Sequence, residues 1–100
     1  MAGYACIWEF YVDPGHEADF LRHYGPGGSW ERLFRQAPGY IETLLLHDRE
    51  SRLRYITIDR WRSLEDYKAF RRDFAGEYLR LDEQCAALTT RETSLGEYES

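Results

Sequence analysis

Residues 40–67 read Tyr-Ile-Glu-Thr-Leu-Leu-Leu-His-Asp-Arg-Glu-Ser-Arg-Leu-Arg-Tyr-Ile-Thr-Ile-Asp-Arg-Trp-Arg-Ser-Leu-Glu-Asp-Tyr. Two apolar runs, 40–47 and 54–61, flank a charged turn at 48–53. Both are rich in the side chains that fit a pleated surface, and strands joined by so short a turn pair antiparallel. The second run ends in Trp61, and Ser63 is placed to cap a helix two residues later. Asp66, three residues after Ser63, stands where a capping box carries its acidic partner. A hairpin is thus handed straight into a helix, with a large aromatic at the junction. That junction is where a small-molecule pocket is expected.

Downstream, Leu64, Tyr67, Phe70, Phe74, Tyr78, Leu81, Cys85 and Leu88 recur every three or four residues. This is the stripe of a core-facing helix. Gly76 costs about 1 kcal/mol relative to Ala inside a helix, so a kink or break is expected near it. Residues 89–98 are polar but strand-compatible and read as an edge strand. Upstream, residues 4–12 predict a strand with Cys6, Trp8, Phe10 and Val12 on one face and Ala5, Ile7, Glu9 and Tyr11 on the other. Asp13-Pro14-Gly15 stops it with turn chemistry. Residues 16–24 predict a helix that turns Phe20, Leu21 and Tyr24 inward. Gly25-Pro26-Gly27-Gly28 breaks that helix. Ser29 is the expected N-cap of a second short helix with the stripe Trp30, Leu33, Phe34 and Ala37.

The order is β-α-β-β-α-β with a split first helix. This is the α+β ferredoxin-like pattern, a four-stranded antiparallel sheet with its helices on one face. The strands carry apolar side chains on both faces, and the helices cover one. An uncovered apolar face marks an interface, so a homodimer through the sheet face is expected, together forming a dimeric α+β barrel.

One hundred residues suit a single domain, 1–100 with a core at about 4–98. The chain is 43% hydrophobic and 16% aromatic, which excludes a disordered segment. Its net charge of −5 opposes a phosphate backbone, so no nucleic-acid partner is expected despite the strand order shared with RNA-recognition motifs. Cys6 and Cys85 have no metal-ligand spacing, and both fall where an apolar side chain belongs. No apolar run approaches the length of a membrane span. The start of the chain shows no secretory pattern, and a cytoplasmic location is the expectation.

The strand running into Asp13-Pro14-Gly15, the Ala37-Pro38-Gly39-Tyr40 segment, and the third strand ending in Trp61 with Ser63 and Tyr67 beyond it resemble the antibiotic biosynthesis monooxygenase family. The resemblance spans about residues 4–90. It implies the dimeric α+β barrel and, in the quinone-forming members, oxidation of polycyclic phenols with no cofactor and no metal. In those members a Trp at the end of strand three and a Tyr six residues later line the substrate pocket, and Trp61 and Tyr67 match them. A His near the end of strand two also lines it, and His47 matches. Arg80 corresponds to an Arg late in the last helix after a one-residue shift. Those enzymes carry an Asn four residues before the Trp; this chain has Thr57 there and contains no Asn. The haem-degrading branch resembles it less, since no His follows His47.

The expected pocket lies between helices and sheet, lined by Trp8, Phe10, Phe34, Thr57 and Phe70 beside the catalytic set His47, Trp61, Tyr67 and Arg80. It would take a small apolar or aromatic ligand. An imidazole suits general-base work near neutral pH, which makes His47 the candidate base, with Trp61 and Tyr67 positioning and Arg80 stabilising an anion. Register decides whether His47 can join them. Paired with Tyr55 it shares the face of Thr57, Asp59 and Trp61; paired with Arg54 it points away. Asp59 and Arg60 point to opposite faces, so one of them must meet the helices or the partner subunit, and an ion pair across the interface is the expectation. A non-catalytic small-molecule-binding or regulatory dimer on the same fold is the alternative function.

Overall fold

The turn at Asp13-Pro14-Gly15 folds as expected: the Asp13 carboxylate accepts from the Gly15 N–H at 2.9 Å, and Pro14–His16 forms one 3₁₀ turn. A computed structural model describes residues 3–100; the first two residues of the expected domain lie outside the described residues. The elements are β1 (Tyr4–Val12), α1 (Glu17–Tyr24), α2 (Ser29–Phe34), β2 (Tyr40–His47), β3 (Arg54–Trp61), α3 (Leu64–Asp73), α4 (Ala75–Cys85) and β4 (Thr89–Glu99). The sheet order is β2-β3-β1-β4, antiparallel throughout, which is the ferredoxin-like α+β fold.

Three local features differ from the sequence reading. Gly28, not Ser29, is the N-cap of α2, and the Ser29 hydroxyl instead lies 2.8 Å from His23 Nδ1. The long helix breaks at Phe74 (φ −115°, ψ 25°), two residues before Gly76, and α4 starts at Ala75. Leu21 is 41% exposed and leaves the inward stripe to Phe20 and Tyr24. The eight-residue α1 has room for only a narrow contact stripe, and the adjacent position turns outward. Ser63 does cap α3, accepting from the Asp66 N–H at 3.1 Å. The Asp66 carboxylate accepts from Arg62 Nε at 2.8 Å rather than reaching back to the cap backbone.

The core is an aromatic layer between sheet and helices. Trp61 and Phe20 are fully buried, and Phe70 and Val12 nearly so. Phe20 and Tyr24 stack at 4.5 Å, while Trp61 meets Phe34 (5.7 Å), Tyr40 (5.3 Å), Tyr67 (5.7 Å) and Phe70 (5.0 Å) edge-on or tilted, between centroids. Such pairs add to the stabilisation from burial alone. Both cysteines are free and buried. Burial, then the Asp59 charge, pushes the Cys6 thiol up to about 11, so it packs as a small apolar group. Among the described residues no helix is long and apolar enough to cross a membrane.

Candidate functional site

Register decides which side chains face the helices. Asp59 pairs with Cys6 on one side and Thr43 on the other, while Thr57 pairs with Trp8 and Leu45. In an antiparallel sheet directly paired residues share a face, so Asp59, Thr43, Thr57 and Trp8 all point inward. Arg60 points outward and pairs with Glu42 at 2.6 Å. Among the described residues Asp59 has no ion pair within the chain.

What Asp59 meets instead is a narrow cleft open to solvent: the space within its lining, open mouth included, is about 460 Å³, of which the centre of a water molecule can reach about 40 Å³. The sheet supplies the floor: Trp8 and Phe10 from β1, Thr43 from β2, Thr57 and Asp59 from β3, Glu92 from β4. The helices supply the roof: Tyr24 from α1, Trp30, Glu31 and Phe34 from α2, Tyr78 and Asp82 from α4. Aromatic walls around a few convergent polar groups are the usual character of a ligand site.

Asp59 is its unusual member. Enclosure by protein pushes the carboxyl up to about 7, and a hydrogen bond from Thr43 partly opposes this. Thr43 Oγ1 donates to Asp59 Oδ1 at 2.9 Å, leaving the Tyr40 hydroxyl, 2.7 Å away, to donate to Thr43. This relay fixes one carboxylate oxygen. Among the described residues Oδ2 has no protein donor, and Asp59 lines the cleft. A carboxyl titrating near neutrality in an aromatic cleft is matched to general-base work. The neighbouring phenols of Tyr24 and Tyr78 are pushed upward by burial and stay protonated. Burial and the Asp82 charge push Glu92 upward.

The residues singled out from the sequence divide into two groups. Trp8, Phe10, Phe34 and Thr57 line the cleft. Trp61, Tyr67 and Phe70 lie behind its wall. Trp61 and Phe70 back Phe34 edge-on, at 5.7 and 5.3 Å, and fill the space where the pocket was expected. Tyr67 packs on Tyr4 and accepts from Arg71 at 2.9 Å. His47 does pair with Tyr55, on the inward-facing register. It is nevertheless an exposed strand end, with its ring stacked 4.3 Å from Tyr55 and Nε2 2.6 Å from the Arg52 carbonyl. Asp59 lies four residues along β3 from Tyr55 and Trp61 six, about 13 and 20 Å of strand. Arg80 is exposed on α4 and does not line the cleft. From the sequence, either Asp59 or Arg60 had to face inward; the register selects Asp59. The roof residues depended on helix packing that no spacing rule supplies.

Comparison with known proteins bears on the fold and the family. A Bordetella bronchiseptica protein assigned to the antibiotic biosynthesis monooxygenases superposes with a TM-score of 0.79 at 19% identity, covering 100% of this chain and 98% of that one. SnoaB from Streptomyces nogalater, a cofactor-independent oxygenase solved as a mutant form, gives 0.72 at 22% identity, covering 98% and 92%. A Nitrosomonas europaea protein assigned to the same family gives 0.69 at 17% identity, covering 98% and 89%. These likenesses establish the fold. No curated protein matches the sequence. Residues 3–75 match the family model for antibiotic biosynthesis monooxygenases, and the chain belongs to that family.

Proposed function

We propose that this protein catalyses cofactor-independent oxidation of a small aromatic or phenolic molecule in the cleft, with Asp59 as general base. The single observation that carries the reading is the Asp59 carboxyl, held near neutrality among aromatic walls with one oxygen unengaged. Family membership and the likeness to an oxygenase described as cofactor-independent support it.

The chemistry asks little of the protein. A flat substrate lies between the Trp8 and Phe10 floor and the Trp30 and Phe34 roof. Asp59 removes a proton from an activated methylene or its enol form, leaving an electron-rich carbanion. That anion gives one electron to dioxygen, and the two radicals combine to form a C–O bond. The peroxide then loses its second C–H proton as its O–O bond breaks. One oxygen remains as the carbonyl, and the other leaves as water with the two methylene hydrogens. The protein supplies a base, an orientation and a dry cavity. Trp61 and Phe70 act from behind by holding Phe34, and Tyr67 packs on Trp61; Thr57 occupies the floor.

The test is oxygen uptake with anthrone as model substrate. Wild type is expected to consume oxygen, with kcat/KM rising with pH through about 7, where Asp59 ionises. Asp59→Asn is expected to lose about a hundredfold or more, within the usual worth of a positioned base. His47→Ala is expected to retain the wild-type rate. Anthrone binding without uptake would assign the protein to the alternative, a binding or regulatory module. Full activity in Asp59→Asn would remove the base from its role.

A further inference from the structure

Three acids on the cleft lining, Asp59, Asp82 and Glu92, stand in no ion pair among the described residues. The fourth lining acid, Glu31, is paired with Arg35 at 3.1 Å and drops out of the charge balance. Among the described residues no Lys, Arg or His lines the cleft. Burial, and after it the Asp82 charge, pushes the Glu92 carboxyl up, and the two acids line the same cleft. Like charges held close without a counter-ion favour an incoming cation.

The acids alone would be compatible with a metal ion. Among the described residues, however, no three His, Cys, Asp or Glu side chains are grouped to hold one. The walls between the acids are aromatic instead. Trp8, Tyr24 and Trp30 line the cleft, whereas the Tyr78 ring is already covered by the Arg71 guanidinium at 4.0 Å. Indole and phenol rings attract organic ammonium groups, and more strongly where water is excluded. The unengaged Asp59 oxygen gives the enclosed end of the cleft a second attraction for positive charge.

Asp82 and Glu92 lie on α4 and β4, beyond the residue 75 limit of the family match.

We infer that the cleft selects an aromatic molecule bearing a protonated amine, with the ammonium between Asp82 and Glu92 and the ring system against Trp8 and Trp30. The inference rests on the proposed aromatic cleft and names the charge of its ligand.

Isothermal titration calorimetry at low salt with three probes tests it: 1-naphthylmethylammonium, 1-naphthylmethanol and 1-naphthoate. The ammonium is expected to bind about tenfold tighter than the alcohol, and the carboxylate more weakly than either. Raising the salt should narrow the gap. In the double variant Asp82→Asn, Glu92→Gln the ratio of ammonium to alcohol affinity should fall to within about threefold. The alcohol serves as the internal check that the variant's cleft is intact. Equal or tighter binding of the alcohol or the carboxylate by wild type overturns the cation inference alone and leaves the aromatic cleft standing. A ratio unchanged in the double variant overturns the assignment to Asp82 and Glu92. Binding of none of the three overturns the aromatic cleft as well.

Discussion

The Asp59 carboxyl has two measurable consequences beyond turnover. Its folded pKa of about 7 lies above the ordinary 3.8. Between those pH values the folded protein holds a proton that the unfolded chain has released, so stability falls as pH rises through that window. Asp59→Asn removes the ionisation, and the amide oxygen can still accept from Thr43. The variant should therefore be more stable than wild type at about pH 8, by on the order of 3 kcal/mol. The gain should vanish below about pH 4, which urea denaturation at the two pH values will check. Thr43→Val acts in the opposite sense on activity. The Thr43 hydrogen bond favours the ionised form, so its loss should move the rising limb of the kcat/KM profile to higher pH. An unmoved limb would separate Asp59 from the titration. The sequence showed that one of Asp59 and Arg60 had to face inward but not which, and an ion pair across the interface was the simplest account of it. The register and the lack of a cation among the residues lining the cleft are what make Asp59 the proposed base. For His47 the register was the open question, yet its position along the strand mattered more. It faces inward and is still beyond reach of the cleft.

At the scale of elements, the fold was legible because most of the strands are rich in β-branched and aromatic residues and are bounded by strong turn signals. The β2 and β3 spans coincide with the apolar runs, and Ser63 starts α3 where its hydroxyl can cap. What escaped was set by packing rather than by local chemistry. Phe74 rather than Gly76 marks the helix break, and the bulge at Ile41, between the Tyr40 and Glu42 pairings, has no signature in composition. Two glycines make the contrast testable. Gly39 has φ +89°, and an added Cβ would collide with the Asp66 side chain at the start of α3. Gly76 is exposed within α4, with only the Arg80 guanidinium, at 3.8 Å, near an added Cβ. Gly39→Ala should cost about 1–3 kcal/mol from strained backbone, more if α3 must move. Gly76→Ala should gain about 1 kcal/mol from helix propensity. Opposite shifts of the urea midpoint at unchanged slope are the expected outcome; a gain in Gly39→Ala would contradict the geometry at the β2 lead-in.

At the scale of the molecule, the side of the sheet away from the helices carries its own apolar surface. Leu44, Ile58 and Ile7 stand side by side across β2, β3 and β1, with Leu46 and Ile56 in the next row. Leu44 is 41% and Leu46 48% exposed. Ion pairs frame this apolar centre, Arg60 with Glu42 toward one end and Arg54 with Glu9 toward the other. A contiguous apolar patch ringed by charge on a chain of this size is the usual mark of an interface. A second copy is the occupant we propose, since the same rows on both partners are self-complementary about a two-fold axis. Ile58 sits near the centre of the patch, and its side chain faces away from the cleft. Ile58→Glu would bury two like charges against an apolar surface in a dimer, at several kcal/mol, while costing little in a monomer where the position is partly exposed. Light scattering at micromolar concentration should therefore give twice the chain mass for wild type and the single mass for Ile58→Glu, with the helical circular dichroism retained. A monomeric wild type would leave this face without a partner and end the twinned-barrel reading, while the Asp59 cleft, built wholly within one chain, would stand.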